Sequence, residues 1–310
     1  MCTSCGCQGQ GTTMTNLQTG ARAEIAAGSE QDGAAHSHGD HGHGHLHGEH
    51  HHADDEHHHH AHGHGHGHDH NAHAHDHSDH DHAHEESHRR LDLETRILAK
   101  NDAIAAKCRA WLAGREIVAL NLVSSPGAGK TTLLERAIAD LSGELPLFVI
   151  EGDQATSNDG ERIRAAGAPV VQVNTGTGCH LDAEMIARAL SELKPSVASL
   201  VFIENVGNLV CPALFDLGEH AKAVIFSTTE GEDKPLKYPH MFSAAKLVIF
   251  NKIDLLPHLD FSMEQARENI LRVNPDVEIV EVSAKTGAGM QMLYDWIRTQ
   301  MSAVKDQALV

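Results

Sequence analysis

From Leu91 onward the chain alternates short apolar runs with longer stretches in which apolar residues return every three or four positions; before Leu91 it does neither. Apolar runs of four to seven bounded by polar residues, Gly or Pro read as buried strands, and the spaced stretches read as amphipathic helices. Strands are predicted at 117–123, 147–150, 170–173, 200–203, 223–226, 247–250 and 277–282. Helices are predicted near 131–141, 159–166, 182–193, 263–273 and 289–301. Ahead of the first strand, residues 89–115 read as one helix, with Ile97, Ile104, Cys108 and Trp111 on one face and Gly114 at its C-terminal end. Uninterrupted apolar strands alternating with helices predict an α/β fold: a mostly parallel sheet flanked by helices on both faces, with ligand loops at the carboxyl ends of the strands. That domain is expected to span 116–304.

The first 88 residues follow a different logic. Of 29 histidines, 25 lie between His36 and His88, interspersed with Gly, Ala, Asp and Glu and with no Lys or Arg. Nothing in this tract offsets the conformational entropy of ordering it, so 36–88 is expected to be disordered. Imidazole nitrogens bind nickel, zinc and copper, which makes it a multi-site metal reservoir whose capacity falls as protons compete below about pH 6.5. Residues 1–8 hold Cys2, Cys5 and Cys7, crowded enough to share one metal ion with the α-amino group. Residues 9–35, small and polar, are expected to be a flexible linker.

The formal charge of −19, with no basic stripe, excludes a simple nucleic-acid binder and argues against an anionic membrane surface. No run is long and apolar enough to span a bilayer, and no signal peptide is evident, so a cytoplasmic location is expected. In that reducing compartment the six cysteines read as metal ligands or buried thiols.

The densest chemistry follows the first predicted strand. Ser124-Ser125-Pro126-Gly127-Ala128-Gly129-Lys130-Thr131-Thr132 matches the phosphate-binding template G-x-x-x-x-G-K-[ST] except for Ser124 in place of the first Gly. Gly127 and Gly129 let the backbone turn its amides onto phosphate, Lys130 reaches the β- and γ-phosphates, and the Thr131 hydroxyl suits Mg²⁺. Asn251-Lys252-Ile253-Asp254 resembles the guanine-recognition motif of GTPases: Asp254 would accept from the base, Asn251 contact its edge and Lys252 stack along it. Ser283-Ala284-Lys285 resembles its companion loop, making GTP rather than ATP the expected ligand. Glu204-Asn205-Val206-Gly207 stands where a D-x-x-G switch belongs, Glu204 as a Mg²⁺ ligand and Gly207 toward the γ-phosphate. Asp153 and Asp159 supply further carboxylates for metal or water, although Asn158 or Asp159 would equally cap the following helix. No Gln follows Gly207, so slow intrinsic hydrolysis is expected.

Together with Glu151-Gly152-Asp153, the run Asn174-Thr175-Gly176-Thr177-Gly178-Cys179-His180-Leu181-Asp182-Ala183, and Glu204 through Cys211-Pro212, these motifs resemble the hydrogenase nickel-incorporation GTPase family HypB. The resemblance covers about residues 91–301 and implies a metallochaperone of the SIMIBI class of P-loop GTPases. It further implies a GTP-dependent homodimer, and as partners nickel-donor and nickel-acceptor maturation proteins and the NiFe-hydrogenase large subunit. By the same resemblance Cys179, His180 and Cys211 form a metal site in the G domain, and Cys2, Cys5 and Cys7 a tight nickel site, with zinc as an alternative ion. Glu184 stands where some relatives carry a fourth, histidine, ligand. Two other readings remain at this point: a nickel and zinc storage protein with a regulatory G domain, and the related urease-accessory GTPase. Against the latter, Cys211-Pro212 is followed by Ala213 instead of His.

Overall fold

A computed structural model describes residues 12–25, 78–154 and 158–307. The chain begins with strands β1 (Thr12–Asn16) and β2 (Arg22–Ile25), then helix α1 (Ser78–Ala113). The alternation that follows is β3 (Val118–Ser124), α2 (Lys130–Leu141), β4 (Leu147–Asp153), α3 (Asn158–Ala165), β5 (Val170–Asn174), α4 (Ala183–Leu193) and β6 (Leu200–Glu204). It closes with α5 (Cys211–Leu214), β7 (Ala221–Ser227), α6 (Lys234–Lys237), α7 (Pro239–Ser243), β8 (Leu247–Asn251), a 3₁₀ turn (Ile253–His258), α8 (Met263–Val273), β9 (Glu278–Glu281) and α9 (Met290–Gln307). The described strands form one sheet in the order β2-β1-β5-β4-β6-β3-β7-β8-β9, parallel from β5 to β9, with β1 antiparallel to both its neighbours.

Side-chain alternation along the strands feeds two cores. In β3, Leu120 and Leu122 pack with Leu134 and Ile138 of α2 and Leu293 and Ile297 of α9. On the other face Ala119 packs with Ile186 and Leu190 of α4 and Leu112 of α1. A further cluster joins Phe226, Phe242 and Phe250 beside α8.

Every predicted strand from 117 to 282 exists within about two residues of its expected bounds except β4, which runs three residues further to Asp153, and all five helices start within one residue of theirs. Two expectations are corrected. The segment 9–35 is not all linker: residues 12–25 are a hairpin that extends the sheet beyond β5. Met14 and Ile25 are buried in it, and the Asn16 side chain accepts from the amides of Gln18 and Thr19 to set the turn, with Gly20 at φ +72°. The helix expected at 89–115 instead starts at Ser78 and turns a different face inward: Asn101, Ala105, Cys108 and Leu112 are buried while Ile97 and Trp111 are exposed. The Arg115 guanidinium stacks over the Trp111 ring at 4.6 Å, covering apolar surface without burying it in the core. The chain divides into two compact units, Met1–Ala27 with Leu91–Val310, and Gly28–Arg90. Cys2, Cys5, Cys7 and residues 36–77 of the histidine tract lie outside the described residues.

Candidate functional site

Parallel strands deliver their loops to one end of the sheet, and the expected nucleotide residues meet there. Gly127 and Gly129 adopt φ +75° and +92°. At Gly129 the glycine is required twice, since a Cβ would also lie 2.7 Å from Asn251 Nδ2. Ser124, fully buried at the end of β3, accepts from Lys130 Nζ at 3.0 Å, so the residue that departs from the template holds the phosphate-binding lysine. Asn251 is buried and ties loops together: Nδ2 donates to the Ala128 carbonyl at 2.9 Å, and Oδ1 accepts from the amides of Lys252 and Ala284. Asn251, expected at the base edge, also braces the phosphate loop against the Ser283 loop. Lys252 Nζ reaches the Gly127 carbonyl at 2.7 Å, and Ser283 Oγ donates to Asp254 Oδ1 at 2.6 Å. Gly129, Thr132, Asn251, Lys252, Asp254, Ala284 and Lys285 line a cleft of about 290 Å³, wide enough to admit a base.

Beside Lys130 the carboxylates converge. Thr131 Oγ1 donates to Glu204 Oε1 at 2.8 Å. Gly207 sits against Pro126 of the phosphate loop, where a Cβ would lie 3.2 Å from the Pro126 Cα. Glu151 and Glu204, both buried, are opposite each other on β4 and β6, and each leaves Oε2 without a hydrogen-bond partner. Burial and then mutual repulsion with Glu204, Asp153 and Asp159 push the Glu151 carboxyl up to about 9. Burial raises Glu204 to about 7 against the pull of Lys130. Burial likewise lowers Lys130, with the carboxylates opposing. The unsatisfied Glu204 Oε2 and the neighbouring Thr131 hydroxyl are hard-oxygen donors that fit Mg²⁺. Asp153 ends β4, and its carbonyl accepts from the Thr175 amide at 2.8 Å. Asp159 lies in the first turn of α3 with Oδ1 3.0 Å from Arg162 Nη1.

A second cluster lies on the loops after β5 and β6. Ligand atoms of Cys179, His180 and Cys211 all fall within 4.8 Å of one another, the sulfurs 2.9 Å apart and Cys179 Sγ 3.7 Å from His180 Nδ1. Asp182 caps α4 by accepting from the Met185 amide, which fixes where the Cys179–His180 loop ends. The His180 ring packs on Phe215 at 3.9 Å, and burial lowers its proton affinity, keeping the imidazole neutral and able to ligate. Two thiols and one imidazole suit a borderline or soft metal ion. Glu184 is instead paired with Arg188 at 2.7 Å.

The CobW/HypB/UreG nucleotide-binding domain family matches residues 118–281. The chain is 58% identical over 207 residues to the hydrogenase maturation factor HypB of Rhizobium leguminosarum bv. viciae, covering 67% of this chain and 69% of that protein. The chain belongs to the HypB family of hydrogenase maturation factors. The HypB crystal structure from Archaeoglobus fulgidus superposes with a TM-score of 0.62 at 37% identity, over 66% of this chain and 99% of that one. HypB from Helicobacter pylori, solved in complex with nickel, gives the same score and identity, over 66% of this chain and 96% of that one. The HypB match explains why the phosphate loop, the switch and the Cys–His loops occur together.

Three buried polar groups beside these clusters carry no role in the sequence motifs. Glu151 was visible only as part of a motif; its buried position opposite Glu204 depends on strand register. Asn121 and Asn205 sit within or beside apolar strand runs, where a polar residue at a buried position was the available signal. Among the described residues no helix is long and apolar enough to cross a membrane.

Proposed function

We propose that this chain is a cytoplasmic GTPase that delivers nickel during maturation of a NiFe-hydrogenase, receiving and releasing the ion at Cys179, His180 and Cys211 in step with its nucleotide. The observation that carries this reading is the convergence of the three ligands beside Leu181, the residue after His180, which touches both β4 and the residue following β6. Gly152, in the strand that ends at Asp153, packs against Leu181 so closely that a Cβ would meet Leu181 Cδ1 at 2.8 Å. Asn205, next to Glu204, accepts from the Leu181 amide at 3.2 Å.

In the proposed reaction the phosphate-loop amides and Lys130 hold the β- and γ-phosphates and stabilise charge on the transferring phosphoryl. Thr131, Glu204 and Asp153 would hold Mg²⁺, which neutralises phosphate charge when bound. Asp159, anchored by Arg162, positions the attacking water, and Asp254 with Lys252 selects guanine. The absence of a Gln after Gly207 supports a slow intrinsic rate. Loss of the γ-phosphate removes the contact that sets Gly207, and the Cys–His loops relax with it, releasing nickel to a maturation partner or the hydrogenase large subunit. A GTP-dependent homodimer belongs to this reading. Zinc is a competing ion for the same thiolates.

The abundance of histidine favours a second role for the 36–88 tract, a local nickel reserve. Both readings are tested by titrating the full-length protein with nickel in GDP and in a non-hydrolysable GTP analogue, following thiolate-to-nickel absorption and mass in solution. A thiolate-bound nickel that is lost in Cys179→Ala and responds to nucleotide supports delivery. Histidine-bound nickel alone, indifferent to nucleotide, leaves storage as the function.

A further inference from the structure

A chain of buried side-chain hydrogen bonds, completed by the Glu219–Lys222 ion pair, runs between the nucleotide switch and both cysteine-bearing segments. Asn205, 1% exposed, follows Glu204 at the end of β6. Its Oδ1 accepts from the amides of Leu181 at 3.2 Å and Val206 at 3.0 Å, and its Nδ2 donates to Asn121 Oδ1 at 3.2 Å. Asn121, fully buried in β3, donates from Nδ2 to Glu219 Oε1 at 3.0 Å. The other Glu219 oxygen accepts from the Leu217 amide at 2.7 Å. Lys222 Nζ lies 3.7 Å from Glu219 Oε1 and donates to the carbonyls of Pro212 at 2.9 Å and Phe215 at 3.4 Å. One end of the chain therefore grips the backbone two residues past Cys179, and the other grips the residue after Cys211.

Central positions of a parallel sheet are ordinarily filled by Val, Ile or Leu. Here Asn121 and Lys222 occupy β3 and β7, with Asn205 just past β6 and Glu219 just before β7; four buried polar side chains cost desolvation unless every group is paired, and a paired network admits few alternative geometries. Such a network resists sliding of one strand end relative to another, so a shift at Asn205 must be accommodated along its length.

We propose that Asn205, Asn121, Glu219 and Lys222 form a positioning relay that carries the nucleotide-dependent setting of Glu204–Gly207 to the loops bearing Cys179 and Cys211, and so sets the spacing of the metal ligands. This rests on the reading above that nucleotide state controls nickel at those residues. Asn101 of α1 provides an internal control: its Nδ2 donates to the Asp216 carbonyl at 2.7 Å and its Oδ1 accepts from the Ala183 amide at 2.9 Å. It ties the same two loops together without touching the switch.

The test uses the full-length chain with Cys2, Cys5 and Cys7 changed to Ser, so that thiolate-to-nickel absorption reports on Cys179 and Cys211. Nickel affinity is measured with GDP and with the GTP analogue. In the parent protein the two affinities should differ on the order of 5-fold or more, and Asn121→Ser and Lys222→Met should each bring that ratio within about 2-fold of unity while GTP-analogue affinity holds. Asn101→Ala should weaken nickel binding in both states and preserve the ratio. A ratio that survives in both relay variants overturns the relay alone; a parent protein with no ratio overturns the nucleotide-gated reading and the relay with it. Hydrogen exchange on the unmutated chain gives a test independent of variant folding. Exchange of nucleotide should change protection at the Leu181, Val206 and Leu217 amides together, and a change confined to Val206 overturns the relay.

Discussion

Glu151 and Glu204 stand opposite each other on adjacent parallel strands, both buried, each with one carboxylate oxygen unsatisfied. In the unfolded chain both ionise near 4.5, whereas in the fold Glu204 holds its proton to about 7 and Glu151 to about 9, chiefly through burial. The folded state therefore binds more protons across this window. Stability is fully present below the unfolded value and is lost as pH rises through the folded values. The nucleotide-free protein should show a Tm that falls from about pH 5 to about pH 9, most steeply below about pH 7 where both carboxyls contribute, and Glu151→Gln should flatten that slope. Mg²⁺ with GTP should flatten it too, by compensating the same charges. Thermal melts in a pH series check this, and a level or rising Tm in the nucleotide-free protein contradicts it.

Lys130 is held in place by Ser124 before any phosphate arrives. Ser124→Ala removes that acceptor and should cost the nucleotide-free protein on the order of 1 kcal/mol. Lys130→Ala should abolish GTP turnover under single-turnover conditions; retained turnover would remove Lys130 from the mechanism.

The Asn251 carboxamide braces two loops that share no sequence proximity. Asn251→Ala leaves the Ala128 carbonyl and the Ala284 amide without this partner, so a stability loss of about 1–3 kcal/mol is expected, with weaker GDP binding. Chemical denaturation and nucleotide titration measure the two separately. Unchanged stability with weakened binding would leave Asn251 acting through the nucleotide alone.

Met14 is buried where β1 joins the sheet. Met14→Ala should destabilise the protein by about 2 kcal/mol, and Met14→Asp should release the strand altogether. Amide exchange in β5 reports the release, since Val173 pairs with Met14.

The β3-to-β9 framework was legible because buried parallel strands are written as uninterrupted apolar runs, with no alternation to misread. The hairpin at 12–25 was not, because Thr12, Thr13 and Thr15 alternate with few apolar residues and the strands are short. The inner face of α1 was misassigned because Ile97 and Trp111 look like core residues, while Asn101, which is buried through two hydrogen bonds, does not. The residues that line the cleft beside Gly129 were already grouped by local motifs, because each motif is contiguous in sequence. Cys179 and Cys211, 32 positions apart on irregular loops, came only through family resemblance, since no periodicity brings loops together. Register alone set Glu151 against Glu204.

The edge hairpin also changes what kind of object the histidine segment is. The unit Gly28–Arg90 departs from a body that includes residues 12–25 and rejoins it at Leu91. Its histidines belong to a span moored at both banks instead of a fringe with a loose end. A single cut inside it should leave the N-terminal piece held by the β1 ladder to β5, and the remainder joined to the nucleotide domain through Leu91.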